Sequence, residues 1–191
     1  MKRYFIGVDN GGTMTKAAVF DAAGRQLASA GENTPQTCPQ PGWCDRDMEE
    51  LWMAAARCIR KALAAAGISP AEIAGVGCTG HGKGLYLWGR DGRPAAPGVA
   101  STDHRAAAVA AHWQTDGTAE KARAYTMQRV LDCQPAALLR WFRDNRPAVY
   151  ENIRWVFEAK DYLRFRLTGE AFAEYTDSSG TSLLNLHTRQ F

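Results

Sequence analysis

The stretch Asp9-Asn10-Gly11-Gly12-Thr13-Met14-Thr15-Lys16 places a carboxylate, two glycines, two hydroxyls and an amine between two apolar runs. Such a set suits a polyphosphate. Glycine amides approach anionic oxygens with no Cβ in the way, and Gly11 and Gly12 are also expected to supply unusual φ angles. Thr13 and Thr15 add donors, Lys16 adds a cation, and Asp9 at a strand end offers Mg²⁺ a ligand, directly or through water. The spacing alone equally fits an ordinary hairpin turn. The combination of Asp9, two threonines and Lys16 is what points to phosphate. It is neither GxxxxGK[ST] nor GxGxxG, and a strand rather than a helix follows it.

A second constellation is Thr79-Gly80-His81-Gly82-Lys83-Gly84, a glycine-rich turn after an apolar strand. Turns beyond strand ends are where α/β proteins bind ligands, although a plain loop with its lysine in water has the same composition. Ser101-Thr102-Asp103-His104-Arg105 precedes a helix. Asp103 is placed to cap that helix and to offer an oxygen to a hydroxyl group as well. His104 and His112 read as helix-surface residues, and His187 as solvent-facing.

These groups need elements to hold them. Ile6 and Val8, then Ala17 to Phe20, form paired strands, and a third strand is expected over 26–30. Asp47, with Glu50 three residues on, caps a helix whose Leu51, Trp52, Ala55, Ile59, Ala62, Leu63 and Ala66 share one face, and Gly67 ends it. Ser69-Pro70-Ala71-Glu72 opens a very short helix, a buried strand covers 73–79, and another covers 84–88 before the turn at 89–94. Helices are expected over 105–117, 119–125, 136–145 and 160–168, with strands at 155–157 and 182–186. In the 160–168 helix Tyr162, Leu163, Phe165 and Leu167 are expected to face inward.

Composition narrows the function. A chain of 191 residues is long enough for one well-buried domain. The net charge is +3 with scattered basic residues, which argues against nucleic acid as a partner. Five cysteines without CxxC or a Cys/His cluster read as reduced thiols rather than a disulfide framework. No stretch reaches membrane-spanning length and no signal-peptide pattern opens the chain, so a cytoplasmic location without membrane attachment is expected.

The first block resembles the first phosphate motif of the actin, hexokinase and Hsp70 superfamily, implying an α/β ribonuclease-H-like domain, a mixed sheet flanked by helices. Other blocks stand in the order of the FGGY carbohydrate kinases: Gln40-Pro41-Gly42-Trp43, Asp47 to Trp52, Gly80 to Gly84, Asp103-His104-Arg105, Asp161 to Glu170 and Tyr175 to Thr181. The chain therefore resembles that family along essentially its whole length. Within it, Gly82-Lys83-Gly84-Leu85 and the small residue Ser101 are similar to L-xylulose kinases. The resemblance implies ATP-dependent phosphorylation of a sugar or polyol, with ATP and Mg²⁺ as cofactors. It implies Asp9 at the metal, Asn10, Gly11, Gly12, Thr13, Thr15 and Lys16 at the ATP phosphates, and His81, Gly82, Lys83 and Asp103 at the sugar. Asp177 and Ser179 fall near the cleft in relatives, where a turn role serves them equally.

The family's proton-accepting aspartate and its second lobe are expected beyond Phe191. Residues 1–191 are thus expected to form an N-terminal lobe incomplete at its C-terminal end, inactive alone, with the missing lobe as partner and a possible homodimer through the exposed docking face. A stand-alone sugar-binding or regulatory module is the alternative. The repressor-type sugar kinases share the first block, but their cysteine-rich zinc motif is absent here.

Overall fold

The computed structural model describes residues 3–191. Strands β1 (Tyr4–Asn10), β2 (Met14–Phe20) and β3 (Gln26–Asn33) form an antiparallel meander. After them come the two-residue strand β4 (Asp45–Arg46) and helix α1 (Met48–Ala66). Strand β5 (Ile73–Gly80) then returns parallel to β1, giving the order β3-β2-β1-β5. That is the mixed sheet a ribonuclease-H-like domain requires.

Side-chain alternation gives this sheet two unlike faces. Ile6, Val8, Ala17 and Val19 point one way and are buried against Ala55, Cys58, Ala62 and Leu63 of α1. Asp47 starts that helix by accepting from the Glu50 amide at 3.0 Å, and Gly67 stops it in the left-handed region. The opposite face carries Phe5, Gly7, Asp9, Lys16 and Phe20, and Phe5 remains 47% exposed. The expectation of a buried strand at 73–79 is corrected here. β5 is an edge strand, and Val76 is 44% exposed even though it stands in register with the buried Ile6, because α1 packs over β1 to β3 and does not cover the sheet edge.

A second body is built on strand β6 (Tyr86–Gly89), after which come β7 (Gly98–Val99), paired with β4, and four helices, α2 (Ala107–Thr115), α3 (Thr118–Thr126), α4 (Pro135–Asn145) and α5 (Pro147–Asn152). Strand β8 (Ile153–Phe157) pairs antiparallel with β6, while Leu85, Leu87, Val99, Leu138 and Phe142 share one core. Helix α6 (Ala159–Thr168) joins the two bodies: Leu163 enters the first core, and Tyr162 packs with Met48, Tyr86 and Phe157. Leu167, expected inward, is 39% exposed at the outer end of this helix. A single-turn helix, α7 (Tyr175–Ser178), follows.

The strand expected over 182–186 does not form. Ser182 takes a φ of 57°, which no strand accommodates, and the segment turns. Nor does Asp103 cap a helix: α2 begins at Ala107 without a side-chain cap, and Asp103 is drawn inward by Arg105 instead.

Candidate active site

β1 and β5 are parallel and end side by side, with Asn10 opposite Gly80. The two sequence constellations therefore meet at the C-terminal ends of these strands, where ligands bind in open α/β sheets. The His81 amide donates to the Asn10 carbonyl at 3.1 Å and ties the glycine turn to the hairpin.

In the hairpin, every carbonyl of the tip is held from one side. Arg46 Nη1 donates to the Gly11 and Gly12 carbonyls at 3.2 and 2.8 Å, Gln36 Nε2 to Gly12 at 2.8 Å, and the Thr34 amide to Thr13 at 2.9 Å. The Gly12 and Thr13 amides donate to no acceptor among the described residues. A peptide plane whose carbonyl is pinned turns its following N–H the other way, so the clamp presents bare amides outward. Neither Gly11 nor Gly12 has a left-handed φ, which corrects the expectation about their dihedrals. Gly11 is instead tightly fitted, because a Cβ there would stand 3.0 Å from the Met14 carbonyl.

The expected phosphate residues divide by strand parity. Asp9 and Lys16 sit opposite each other in register on the open face, lining a cleft of about 440 Å³ with Gly7, Phe20, Gly77 and Thr79. Neither enters an ion pair or side-chain hydrogen bond among the described residues. Thr13 is exposed at the tip. Asn10 and Thr15 point to the covered face, wholly buried, and bond each other at 3.3 Å, so their side chains do not reach the open face. The physical reason is the two-residue side-chain period of a strand.

On the turn side, Lys83 and Gly84 both take left-handed backbone, with φ of 65° and 80°. A Cβ on Gly84 would lie 2.3 Å from the Val99 carbonyl, so only glycine fits, and the cost at Lys83 is about 1 kcal/mol or more. His81 Nε2 pairs with the Tyr86 hydroxyl at 2.7 Å, and its buried Nδ1 has no partner. Burial, then the nearby Arg46, holds its pKa below the ordinary value, so the ring is neutral at pH 7.

Asp103 is fully buried and both its oxygens are engaged. It accepts from the Arg105 amide and guanidinium, and from the Cys44 amide at 2.6 Å. Arg105 in turn pairs with Asp45 and lies 4.3 Å over Trp43. The structure thus places Asp103 as a brace between two loops beside the cleft.

Sequence reasoning missed Arg46 and Glu158. Arg46 sits between two aspartates and reads as a surface charge, yet it is 1% exposed. Glu158 follows the apolar run Trp155-Val156-Phe157, and an acid directly after such a run was the available clue. It is buried at the start of α6, and neither oxygen makes a well-formed hydrogen bond. Burial, then the neighbouring Asp177 carboxylate, pushes it up to about 9, so it is a neutral acid at pH 7. Asp177 lies against the turn, its Oδ1 3.1 Å from where a Gly82 Cβ would stand.

The fold is that of the actin- and hexokinase-like proteins, with a hairpin tip and a glycine-rich turn side by side at the strand ends. The profile of the FGGY family of carbohydrate kinases, N-terminal domain, matches residues 4–191, and the chain belongs to that family. It is 37% identical over 188 residues to a probable L-xylulose kinase of Pasteurella multocida, covering 98% of this chain and 39% of that protein. It is also 37% identical to the L-xylulose/3-keto-L-gulonate kinase of Escherichia coli, covering 100% of this chain and 38% of that one. The ligand-bound xylulose kinase of Lactobacillus acidophilus superposes with a TM-score of 0.92 at 24% identity, covering 98% of this chain and 38% of the other, which establishes the shared fold. The chain spans less than two fifths of these relatives.

Proposed function

We propose that residues 1–191 are the N-terminal lobe of a cytoplasmic kinase that transfers the γ-phosphoryl group of ATP to a hydroxyl of a ketose or polyol, with L-xylulose the leading candidate. The observation that carries this reading is the hairpin tip: carbonyls clamped by Arg46, Gln36 and Thr34, and amides of Gly12 and Thr13 left free beside an unpaired Asp9. A triphosphate tail supplies the acceptors those amides lack, and Lys16 stands on the same face to neutralise it.

No cluster of three metal-ligating side chains exists among the described residues. That fits Mg²⁺, which takes one or two carboxylates and completes its shell with phosphate oxygens and water. Asp9 would hold it, and when bound the ion would neutralise charge on the transferring group. The acceptor would lie at the Gly82-Lys83 turn beside His81, with Asp103 bracing the loops around it. The proton-accepting carboxylate and the water-excluding second lobe would come from outside these residues, so this lobe alone binds weakly and does not turn over.

The test is a titration of the ¹⁵N-labelled chain with ATP and Mg²⁺. The Gly12 and Thr13 amide resonances should shift first. Silence at both would end the phosphate reading, and robust turnover of L-xylulose by the lobe alone would end the claim that it needs a partner lobe.

A further inference from the structure

The loop that carries the Arg46 clamp holds a pair of thiols the kinase reading does not use. Thr37 and Asp45 exchange both backbone hydrogen bonds, at 2.9 and 2.8 Å, so they are a hydrogen-bonded antiparallel pair. Between them the chain reverses through Gln40-Pro41-Gly42-Trp43, closed by the Trp43 amide on the Gln40 carbonyl at 3.0 Å with Gly42 at a φ of 79°. Cys38 and Cys44 are the next residues toward that turn on each side. In antiparallel geometry the next pair is the non-hydrogen-bonded one, with Cα atoms about 4.5 Å apart. A disulfide needs about 4.4–6.8 Å.

We propose that Cys38 and Cys44 form a modification site, a dithiol that closes to a disulfide across the neck of this hairpin when a low-molecular-weight disulfide such as oxidised glutathione is present. Cys38 is the exposed member and Cys44 the buried one. The Cys38 thiolate attacks the small disulfide, forming a mixed disulfide and releasing one thiolate. Cys44 then gives up its proton and attacks the Cys38 sulfur, releasing the second. Two protein thiols are oxidised, one small disulfide is reduced to two thiols, and the protons pass to the departing sulfurs. Desolvation, then Cys44, raises the Cys38 pKa above its ordinary value, so closure is slow at neutral pH and quickens as pH rises.

The site reaches the hairpin tip. The Cys44 thiol donates to Gln36 Oε1 at 2.5 Å and accepts from Thr102 Oγ1 at 3.2 Å, while Gln36 Nε2 holds the Gly12 carbonyl. Oxidation removes the S–H that orients Gln36, and with it one support of the Gly12 peptide. The remaining cysteines are elsewhere: Cys58 on α1, Cys78 on β5 and Cys133 ahead of α4.

The experiment is oxidation of the chain with oxidised glutathione at pH 8.5, followed by non-reducing chymotryptic mapping, since chymotrypsin cuts after Trp43 and separates the two cysteines. A Cys38–Cys44 linked peptide should be the dominant product and dithiothreitol should abolish it. The Gly12 amide resonance should move on oxidation of the native chain and stay fixed in Cys38→Ser. Glutathione adducts without the link, or a dominant link through Cys58, Cys78 or Cys133, would overturn the proposal. Because the mapping uses no nucleotide or sugar, its result is independent of whether the kinase reading holds.

Discussion

The covered and open faces of the β1–β2 hairpin are made by alternate residues of the same fourteen-residue stretch of strands, yet they do opposite work. On the covered face Ile6, Val8, Ala17 and Val19 are almost wholly buried, and the polar Asn10 and Thr15 are buried with them, the Thr15 hydroxyl donating to Asn10 Oδ1. On the open face Asp9 and Lys16 stand directly opposite without pairing. A neighbouring acid and amine left apart are available to a third party. Parity along the strand therefore decides which polar residues hold the fold and which are free for a ligand.

The sharpest way to break this comparison is to put the same charge on adjacent residues. Val19→Asp should cost more than about 4 kcal/mol, because a carboxylate would enter the α1 interface with no partner. Ala18→Asp, one residue earlier and facing the other way, should cost about 1 kcal/mol or less. Urea denaturation of both variants gives the answer. Equal losses would mean that the two faces are not distinct.

A smaller effect is expected at the clamp that joins the faces. Arg46→Met keeps bulk but leaves the Gly11 and Gly12 carbonyls and the Thr34 hydroxyl without their donor. About 2–3 kcal/mol should be lost, with the Gly12 carbonyl retaining Gln36 as its remaining support. The Gly12 and Thr13 amides should also lose their response to ATP. A stable variant with unchanged amide shifts would show that Arg46 does not orient the tip.

Glu158 lies at the strand ends, where parity no longer applies, and its effect is read through pH. Its pKa rises from an ordinary 4.5 to about 9 in the fold, with burial and Asp177 as the leading causes. The folded chain therefore binds a proton that the unfolded chain has released. This contribution is complete below about pH 4.5, falls away as pH rises, and is gone above about 9. Glu158→Gln keeps the size and removes the titration. Its stability relative to the native chain should climb between pH 5 and 9 by more than about 1.4 kcal/mol, the equivalent of one pK unit. A flat difference across that range would mean Glu158 is charged in the fold.

Much of this was legible in the residues. The βββαβ order and α1 with its Asp47 and Gly67 ends follow from local rules of period and capping, while the meeting of hairpin and glycine turn came only with the family resemblance and rests on the pairing of β1 with β5. What was not legible depends on long-range geometry. Whether Asp9 or Asn10 faces the open cleft required knowing which parity α1 covers. That Arg46 is buried required knowing that the loop folds under the hairpin tip. Asp103 read as a helix cap because its position before an apolar run fits one, but the ion pair with Arg105 across to Asp45 offered a stronger partner. The strand expected over 182–186 failed for a backbone reason at Ser182 that no hydrophobic pattern records.

The smallest structural effect is expected where the functional effect is largest. Asp9 is half-buried on the open face, makes no hydrogen bond or ion pair among the described residues, and supports no core side chain. Asp9→Asn should therefore change unfolding free energy by less than about 0.5 kcal/mol. The amide is nearly isosteric but is a poor ligand for a hard dication, which prefers charged oxygen donors. ATP should still perturb the Gly12 and Thr13 amides, because the clamped tip is untouched, but adding Mg²⁺ should no longer strengthen that response. The two measurements separate the metal from the phosphate. If Mg²⁺ strengthens ATP binding equally in both chains, Asp9 does not hold the ion and the metal reading fails, while the phosphate reading stands on the amides alone.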